Sequence, residues 1–317
     1  MDATLKVVPI FFTKPFAQGF PMLTTLIHTF RKHQTAYLFL LPTAVLVLGF
    51  LISPIFSGTI MSFYKAKLSG EVRFVGFQNF VNLFREARFL NNVKLSVLYV
   101  VGNLLLSTPL AYLAAILITR KMGATRFFRG IFLLPWIIAP VVSSLLVLSL
   151  VDPARGLVTA IVRAITGKGV VILADPTLSM LTVILHSFWR SFPFMMLFLA
   201  AGLASIPDEF YEAAKVDGAN GWQRFWHVTF PMTRLHLSMV MLVISMWTVQ
   251  DTETVYALTA GGPGYSTEVL AVRMMKDAFV NFNMYIGSVI GVQLILLSIF
   301  FMFVYLRLLA GIGGGEE

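Results

Sequence analysis

Six long hydrophobic runs, separated by polar and charged segments, dominate the chain. Each run is close to the ~20 residues that a helix needs to cross the hydrocarbon core of a bilayer. The pattern therefore predicts an all-α, polytopic membrane protein with six transmembrane helices. The predicted spans cover roughly 36–63, 93–119, 127–151, 178–204, 234–258 and 284–309.

Five prolines fall inside the first three runs. A membrane helix tolerates proline because neighbouring helices can satisfy the carbonyl groups that proline leaves free. We therefore expect kinks or broken helices at these positions. They are Pro42, Pro54, Pro109, Pro135 and Pro140.

Composition supports the membrane assignment and excludes several classes of protein. The chain is 57% hydrophobic and only 12% charged, whereas soluble domains are about a quarter charged. The spans leave no room for a separate nucleotide-binding or catalytic domain. Because the basic residues behind the net charge of +9 flank the hydrophobic runs, they indicate membrane topology rather than nucleic-acid binding. No cysteine is present, which excludes disulfides and thiolate chemistry.

The basic residues also predict an orientation. The short segment 120–129 carries four of them and no acid, so the positive-inside rule places it in the cytoplasm. Six spans then put both termini in the cytoplasm and the segments 64–92, 152–177 and 259–283 outside. The first of these outer segments is itself rich in Lys and Arg, which runs against the rule.

The polar segment before the fifth run, "YEAAKVDGANGWQRFWHVTFP" at 211–231, predicts a helix, a turn and a second short helix. Ser205 and Asp208 resemble a capping box that begins the first helix. Gly218 permits a left-handed stop. The second helix is expected over about 221–229, ended by Pro231. Phe210, Ala213, Ala214 and Asp217 share one face of the first helix by their spacing.

Periodicity leaves two interpretations of this segment open. It could be an interfacial amphipathic helix that lies on lipid, or a short helix that docks in a groove of a separate cytoplasmic protein.

The same segment resembles the EAA loop of binding-protein-dependent ABC importer permeases. The matching positions are Glu212, Ala213, Ala214, Asp217, Gly218, Ala219, Phe225 and Pro231. Further stretches resemble maltose-type sugar permeases, so the similarity covers most of 36–309. These stretches are "FVGFQNFVNLF" at 74–84, "RGIFLLPWIIAPVVSSLL" at 129–146, "AAGLASIPDEFYEAA" at 200–214 and "ALTAGGPGYSTEVLAVRMMKDAF" at 257–279.

The resemblance implies a type I ABC importer transmembrane domain over 36–309, with the EAA loop at 205–231. A cytoplasmic or interfacial segment at 1–35 precedes it, and a flexible tail at 310–317 follows. The implied partners are a second homologous permease, two ATP-binding cassette subunits in a bacterial inner membrane, and an extracytoplasmic solute-binding protein. ATP and Mg²⁺ would be bound by the partner ATPases and not by this chain. The EAA loop would be the coupling helix, with Glu212, Ala213, Ala214, Asp217, Gly218 and Phe225 as the coupling residues.

Polar residues inside the spans are the candidates for a substrate path, since such residues mark the pathways of transporters. Sugar rings present apolar faces and hydroxyl edges, which suit an aromatic surface beside amide and carboxylate groups. This chemistry favours Trp247, Gln250 and Asp251, with Arg190 as an anion site for an acidic sugar. Trp189, His186 and Asn103 complete the candidate set.

Structural roles remain open for several of these residues. Arg190 could pair with an acid to hold two helices together, and Asn103 and His186 could make hydrogen bonds between helices. The Gly-rich segment 260–268 lacks the GK[ST] ending of a phosphate-binding loop. It predicts a tight turn, either purely structural or in contact with the solute-binding protein.

Three alternatives compete with a sugar importer. An ion channel or secondary transporter would show a symmetric pore or an inverted repeat, and no strong repeat is visible. An intramembrane enzyme would need a catalytic set, but the sequence has five scattered His and neither HExxH nor GxSxG. An ABC permease for a non-sugar solute, such as a polyol phosphate or a polyamine, stays open.

Overall fold

The computed structural model describes residues 34–66, 71–119 and 125–313, most of which are helical. The chain divides into two compact units, one ending at Ser57 and the other beginning at Gly58. The predicted N-terminal segment lies almost entirely outside the described residues, as does much of the predicted C-terminal tail.

The first helical run crosses the boundary between the two units. It consists of α1 (Gln34–Leu46), a π-helical turn (Val47–Ile52) and α2 (Ser53–Met61). Its apolar part, Leu38–Met61, is long and hydrophobic enough to cross a membrane. Pro42 lies within α1, and the helix continues through it.

The second unit holds a short hairpin and the remaining helices. Its elements are β1 (Tyr64–Ala66), β2 (Val72–Phe74), α3 (Gln78–Arg85), α4 (Ala87–Thr119), α5 (Thr125–Ile137), α6 (Pro140–Leu150), α7 (Leu157–Thr166), α8 (Pro176–Ala204), α9 (Asp208–Val216), α10 (Gly221–Arg224), α11 (Phe230–Val249), α12 (Thr252–Thr259), α13 (Leu270–Met275) and α14 (Met284–Gly313).

The described helices reproduce the six predicted runs. Five single helical runs are long and apolar enough to span a membrane, and a bent pair supplies a sixth. The bent pair is Gly130–Ile137 with Pro140–Leu150, and its two halves meet at 102°. Pro140 stands at the start of α6, where its missing N–H costs no helical hydrogen bond. The break expected in the third run is therefore confirmed.

The fifth span ends earlier than the predicted boundary at 258. Helix α11 stops at Val249, and α12 begins at Thr252. The Asp251 side chain accepts the backbone N–H of Thr254 at 3.0 Å and so caps the next helix. The apolar residues after 252 continue the hydrophobic run in the sequence, which hid this break.

The all-α prediction is confirmed, apart from a two-stranded antiparallel hairpin that pairs Tyr64 with Phe74. The buried Asn79 holds this hairpin to α3, because its Nδ2 donates to the carbonyl oxygens of Ser62 and Tyr64.

Helices of the second unit pack closely where glycine removes a side chain. A Cβ atom at Gly102 of α4 would lie 3.0 Å from Cδ1 of Ile184 on α8. A Cβ atom at Gly202 of α8 would lie 2.8 Å from Cγ of His236 on α11. These contacts hold α4, α8 and α11 together around one hydrophobic core.

Candidate functional site

Residues 205–231 form an elbow, in which a short helix turns into the start of a second helix. Helix α9 ends at Val216, and Gly218 takes the left-handed conformation with φ +79°. Asn220 then begins α10 with a capping box. Its Oδ1 accepts the N–H of Gln223 at 2.9 Å, while its own N–H donates to Gln223 Oε1 at 2.8 Å. We call residues 205–231 the elbow.

Two details of the predicted elbow are wrong. Ser205 does not cap α9. Its hydroxyl donates to the carbonyl of Gly202 at 2.8 Å instead, and Pro207 occupies the N-cap position without a side-chain hydrogen bond. Pro231 does not separate the elbow from the fifth span, because helix runs from Gly221 to Val249. A π-helical turn at Phe225–Thr229 precedes Pro231, and this turn shifts the hydrogen bonding at the point where proline lacks a donor.

The predicted coupling residues lie mostly on the outside of the elbow. Glu212, Ala213, Asp217 and Gly218 are exposed, whereas Ala214 and Phe225 are half-buried. Large apolar side chains are exposed beside them. Val216 is 88% exposed and Trp222 71% exposed, and Phe210 is exposed as well. A cluster of this kind on a polar segment is typical of a protein–protein contact surface.

The elbow is joined to the long helices by contacts that sequence analysis missed. The ring of Phe225 lies 5.5 Å from that of Tyr112 on α4. The Tyr112 hydroxyl lies 2.9 Å from Thr233 Oγ1 on α11. Within the elbow, the hydroxyls of Tyr211 and Thr229 lie 3.1 Å apart. No local pattern signals the main contact, because Tyr112 lies about a hundred positions before Phe225 in the sequence.

A cavity of about 540 Å³ lies at the level of the spans, and four of the predicted substrate residues line it. The bend between α5 and α6, the middle of α8, the end of α11 and the α11–α12 break all contribute to its wall. The four predicted residues are Arg190, Trp247, Gln250 and Asp251. Trp136, Ser187 and Ser191 also line it and were not predicted from the sequence, and Glu253 lines it as well. The prolines on either side of Trp136 were the available signal.

The other three candidates lie outside the cavity lining. Asn103 is fully buried, and its Nδ2 donates to Thr248 Oγ1 at 2.9 Å. Its Oδ1 accepts the Ser191 hydroxyl at 2.7 Å, so Asn103 joins α4 to α8 and α11. His186 is buried with its Nε2 2.9 Å from Ser143 Oγ on α6. Trp189 is half-buried beside His186.

Two features of the cavity suit a solute with both apolar and polar faces. Trp247 is 50% exposed, and its ring lies 4.8 Å from that of Phe194. The Trp136 ring lies 5.7 Å from that of Phe194, so three aromatic rings stand together. Asp251 also lines the cavity, at the helix break, where it accepts the hydroxyl of Tyr99 at 2.8 Å. An aromatic surface with polar groups at its edge can hold a sugar ring.

The segment 260–268 is a tight turn, held by a buried charge network. Glu268 is fully buried, and its carboxylate accepts Nε and Nη2 of Arg88, each at 2.8 Å, and Nζ of Lys276 at 3.1 Å. Burial alone would raise the pKa of Glu268. The hydrogen bonds from Arg88 and Lys276 outweigh that effect and hold the pKa below its ordinary value.

The exposed tip of this turn is Gly264 and Tyr265. The Arg88 guanidinium lies 4.1 Å from the centroid of the Tyr265 ring. The network therefore fixes the tip on the start of α4. Within the described ranges, no group of three or more His, Asp or Glu side chains is arranged to hold a metal ion.

Curated relatives span nearly the whole described chain. The sn-glycerol-3-phosphate transport system permease protein UgpA of Agrobacterium fabrum is 32% identical over 269 residues, covering 83% of this chain and 89% of the relative. The trehalose/maltose transport system permease protein MalF of Thermococcus litoralis is 27% identical over 280 residues, covering 88% and 94%.

A solved structure shares the fold. A chain from the crystal structure of a bacterial ABC transporter involved in the import of the acidic polysaccharide alginate superposes with a TM-score of 0.75 at 23% identity. The match covers 89% of this chain and 99% of that one. The family model for the binding-protein-dependent transport system inner membrane component matches residues 87–312. The chain therefore belongs to the family of binding-protein-dependent transport system inner membrane components.

Proposed function

We propose that this chain is a permease subunit of an ATP-driven importer and carries a sugar or a sugar derivative into the cytoplasm by alternating access. The observation that carries the proposal is the elbow, whose apolar residues are exposed while Phe225 ties it to the long helices. An ATPase subunit that grips this surface would move those helices when it closes on nucleotide. Hydrolysis of ATP, with Mg²⁺, takes place in two such subunits and not in this chain.

The rest of the assembly follows from the same proposal. A second, homologous permease completes the translocation path, and a solute-binding protein delivers the sugar at the opposite face, against the turn around Tyr265. The elbow and both termini lie in the cytoplasm of a bacterial cell. The relatives support this view, since one is a trehalose/maltose permease and another a glycerol-3-phosphate permease.

The substrate path runs through the cavity beside Trp247. Its volume of about 540 Å³ suits a small saccharide or a polyol derivative. The Trp247 face would pack on a sugar ring, and Gln250 and Asp251 would accept hydroxyl groups. Asn103 and His186 hold the surrounding helices in register through their hydrogen bonds.

The test is uptake and ATP hydrolysis by the assembled transporter in proteoliposomes. We expect Glu212→Lys to lower ATP-driven uptake by about tenfold or more, because it reverses a charge on the face that the ATPase grips.

Trp247→Ala should lower uptake while ATPase subunits still co-purify and hydrolyse ATP. Lys168→Glu, a charge reversal on an exposed residue outside both sites, is the control. Normal coupled uptake by the Glu212→Lys variant, or purification of the chain without ATPase subunits, would refute the proposal.

A further inference from the structure

The Arg190 guanidinium is a cation at the centre of a membrane helix. Arg190 lies 14 residues from each end of α8, and it lines the cavity beside Trp247. Its Nε atom is buried and has no hydrogen-bond partner among the described residues. A desolvated guanidinium nitrogen without an acceptor is costly at this depth, so the site is incomplete as it stands.

The carboxylates of the cavity do not complete it. The ion pairs found in the described part of the chain lie in or beside the network around Glu268, and none joins Arg190 to Asp251 or Glu253. Both oxygens of Asp251 are already engaged, one by the Tyr99 hydroxyl and the other by the N–H of Thr254. Glu253 is exposed.

The lining of the cavity therefore carries both signs of charge. A cation stands on α8, and two acids stand at the α11–α12 break. Such a lining can bind a solute that carries a negative charge at one end and hydroxyl groups at the other. A guanidinium is suited to the oxyanion end, because its planar donors match carboxylate and phosphate groups.

We propose that the transported solute carries an oxyanion, a phosphate or a carboxylate on a sugar or polyol, and that Arg190 binds it. This inference rests on the proposed function, since it assigns a substrate class to the same cavity. The hydroxyl groups of the solute face Gln250 and Asp251, and Trp247 covers an apolar face. Arg190 thereby selects against neutral sugars of the same size.

The test measures thermal stabilisation of the assembled transporter, purified in detergent without its solute-binding protein. Four probes are titrated: sn-glycerol 3-phosphate, galacturonate, glycerol and galactose. Glycerol 3-phosphate carries a phosphate and galacturonate carries a carboxylate. Glycerol and galactose are their neutral counterparts. Each titration is repeated with Arg190→Gln, with Arg190→Lys and with Arg163→Gln. Arg163 is exposed on α7, where its Nη2 donates to the carbonyl of Pro153.

We expect at least one anionic probe to stabilise the wild-type assembly, with an apparent dissociation constant about tenfold or more higher in Arg190→Gln. Arg190→Lys should recover part of the affinity, since it keeps the charge without the planar donors. Arg163→Gln should match the wild type. Binding of an anion to the ATPase subunits would be the same in every variant, so the difference between variants isolates the cavity.

Equal affinity of Arg190→Gln and wild type for both anions would overturn the inference, as would stabilisation by galactose or glycerol to the same extent as by their anionic counterparts. The absence of any stabilisation by either anion would overturn it too. These outcomes differ from failure of the proposed function, in which no assembly with ATPase subunits would form at all.

Discussion

At the scale of single residues, polar side chains of the second unit fall into two kinds. Asn103 and Glu268 are buried with their hydrogen-bonding capacity used inside the protein. Arg190 and Trp247 line a cavity and keep surface available. All three were candidates for the substrate path from the sequence, which favoured Trp247 and left structural roles open for Asn103 and Arg190, because residue type and position in a span do not distinguish the two kinds. Only packing separates a residue that joins helices from one that faces a cavity.

Glu268 makes a prediction at this scale. Glu268→Gln should lower the stability of the protein by about 2 kcal/mol at pH 7, because Arg88 and Lys276 lose their charged acceptor. The pKa of Glu268 is lower in the folded state than its ordinary value of 4.5. Its contribution to stability is therefore present above that ordinary value, and it is lost as the pH falls through the lower folded pKa.

The measurement is the melting temperature of the purified assembly between pH 7 and the acid range. The wild type should lose stability below about pH 4.5, while the Gln variant starts lower and loses less over the same interval. Glu209→Gln, a substitution of an exposed acid on α9, is the control. Parallel curves for wild type and Glu268→Gln would show that the network does not stabilise the turn.

At the scale of elements, the sequence predicted what depends on local patterns. Long apolar runs predicted the spans, and Gly218 predicted the turn of the elbow. Both features are determined by residues close together in the chain. The break at Gln250 was missed, since the apolar residues of α12 extend the hydrophobic run and only the hydrogen bonds of Asp251 mark the interruption. The continuous helix through Pro231 was missed for a similar reason, because a π-helical turn leaves no pattern in hydrophobicity.

The turn of the elbow makes a second prediction. Gly218 has φ +79°, and a Cβ atom there would meet nothing within 4 Å. Substitution therefore costs backbone strain alone, about 1–3 kcal/mol for a residue held in the left-handed region. Asn adopts this region more readily than other residues, whereas β-branched Val rarely does. We expect Gly218→Asn to keep most ATP-driven uptake and Gly218→Val to lose most of it.

Uptake and basal ATP hydrolysis in proteoliposomes distinguish the two variants. Gly218→Val should lower uptake and leave ATP hydrolysis unchanged, because the spans remain folded and only the angle between α9 and α10 changes. Gly221→Val is the matched control, since Gly221 lies in the same elbow without positive φ and has open space around its Cβ position. An equal loss of uptake in Gly218→Asn and Gly218→Val would mean that the backbone conformation of residue 218 does not determine coupling.

At the scale of the whole second unit, α4 contacts the turn at 260–268, the cavity beside Trp247 and the elbow. Arg88 and Asn92 near its start hold Glu268 in the turn at 260–268. Tyr99 meets Asp251 at the cavity, and Tyr112 meets Phe225 at the elbow. The rise from Arg88 to Tyr112 is about 36 Å for an α-helix, comparable with the thickness of a bilayer. A single helix therefore connects the proposed docking turn, the cavity and the elbow.

If α4 and the elbow move as one body, the Tyr112 ring must carry the motion between them. We expect Tyr112→Ala to abolish most ATP-driven uptake, because the Phe225 contact is lost, while ATPase subunits still bind and hydrolyse ATP. Tyr112→Phe keeps the ring and removes only the hydroxyl bonded to Thr233, at a cost of about 1 kcal/mol, and should transport nearly normally. The measurement is the ratio of solute transported to ATP hydrolysed, which loss of protein alone does not change.

Truncating a buried aromatic residue also destabilises a core, by about 3–5 kcal/mol, so the comparison needs a variant with that cost and no contact to the elbow. Phe301 on α14 is buried in the same core, where its ring contacts that of Phe300. Phe301→Ala should lower the melting temperature about as much as Tyr112→Ala does, yet keep the transport-to-hydrolysis ratio of the wild type. If the transport-to-hydrolysis ratio falls in both variants, its cause is a general loss of core packing and not the loss of the Tyr112 contact. A normal ratio in Tyr112→Ala would mean that the elbow transmits its motion through α11 alone.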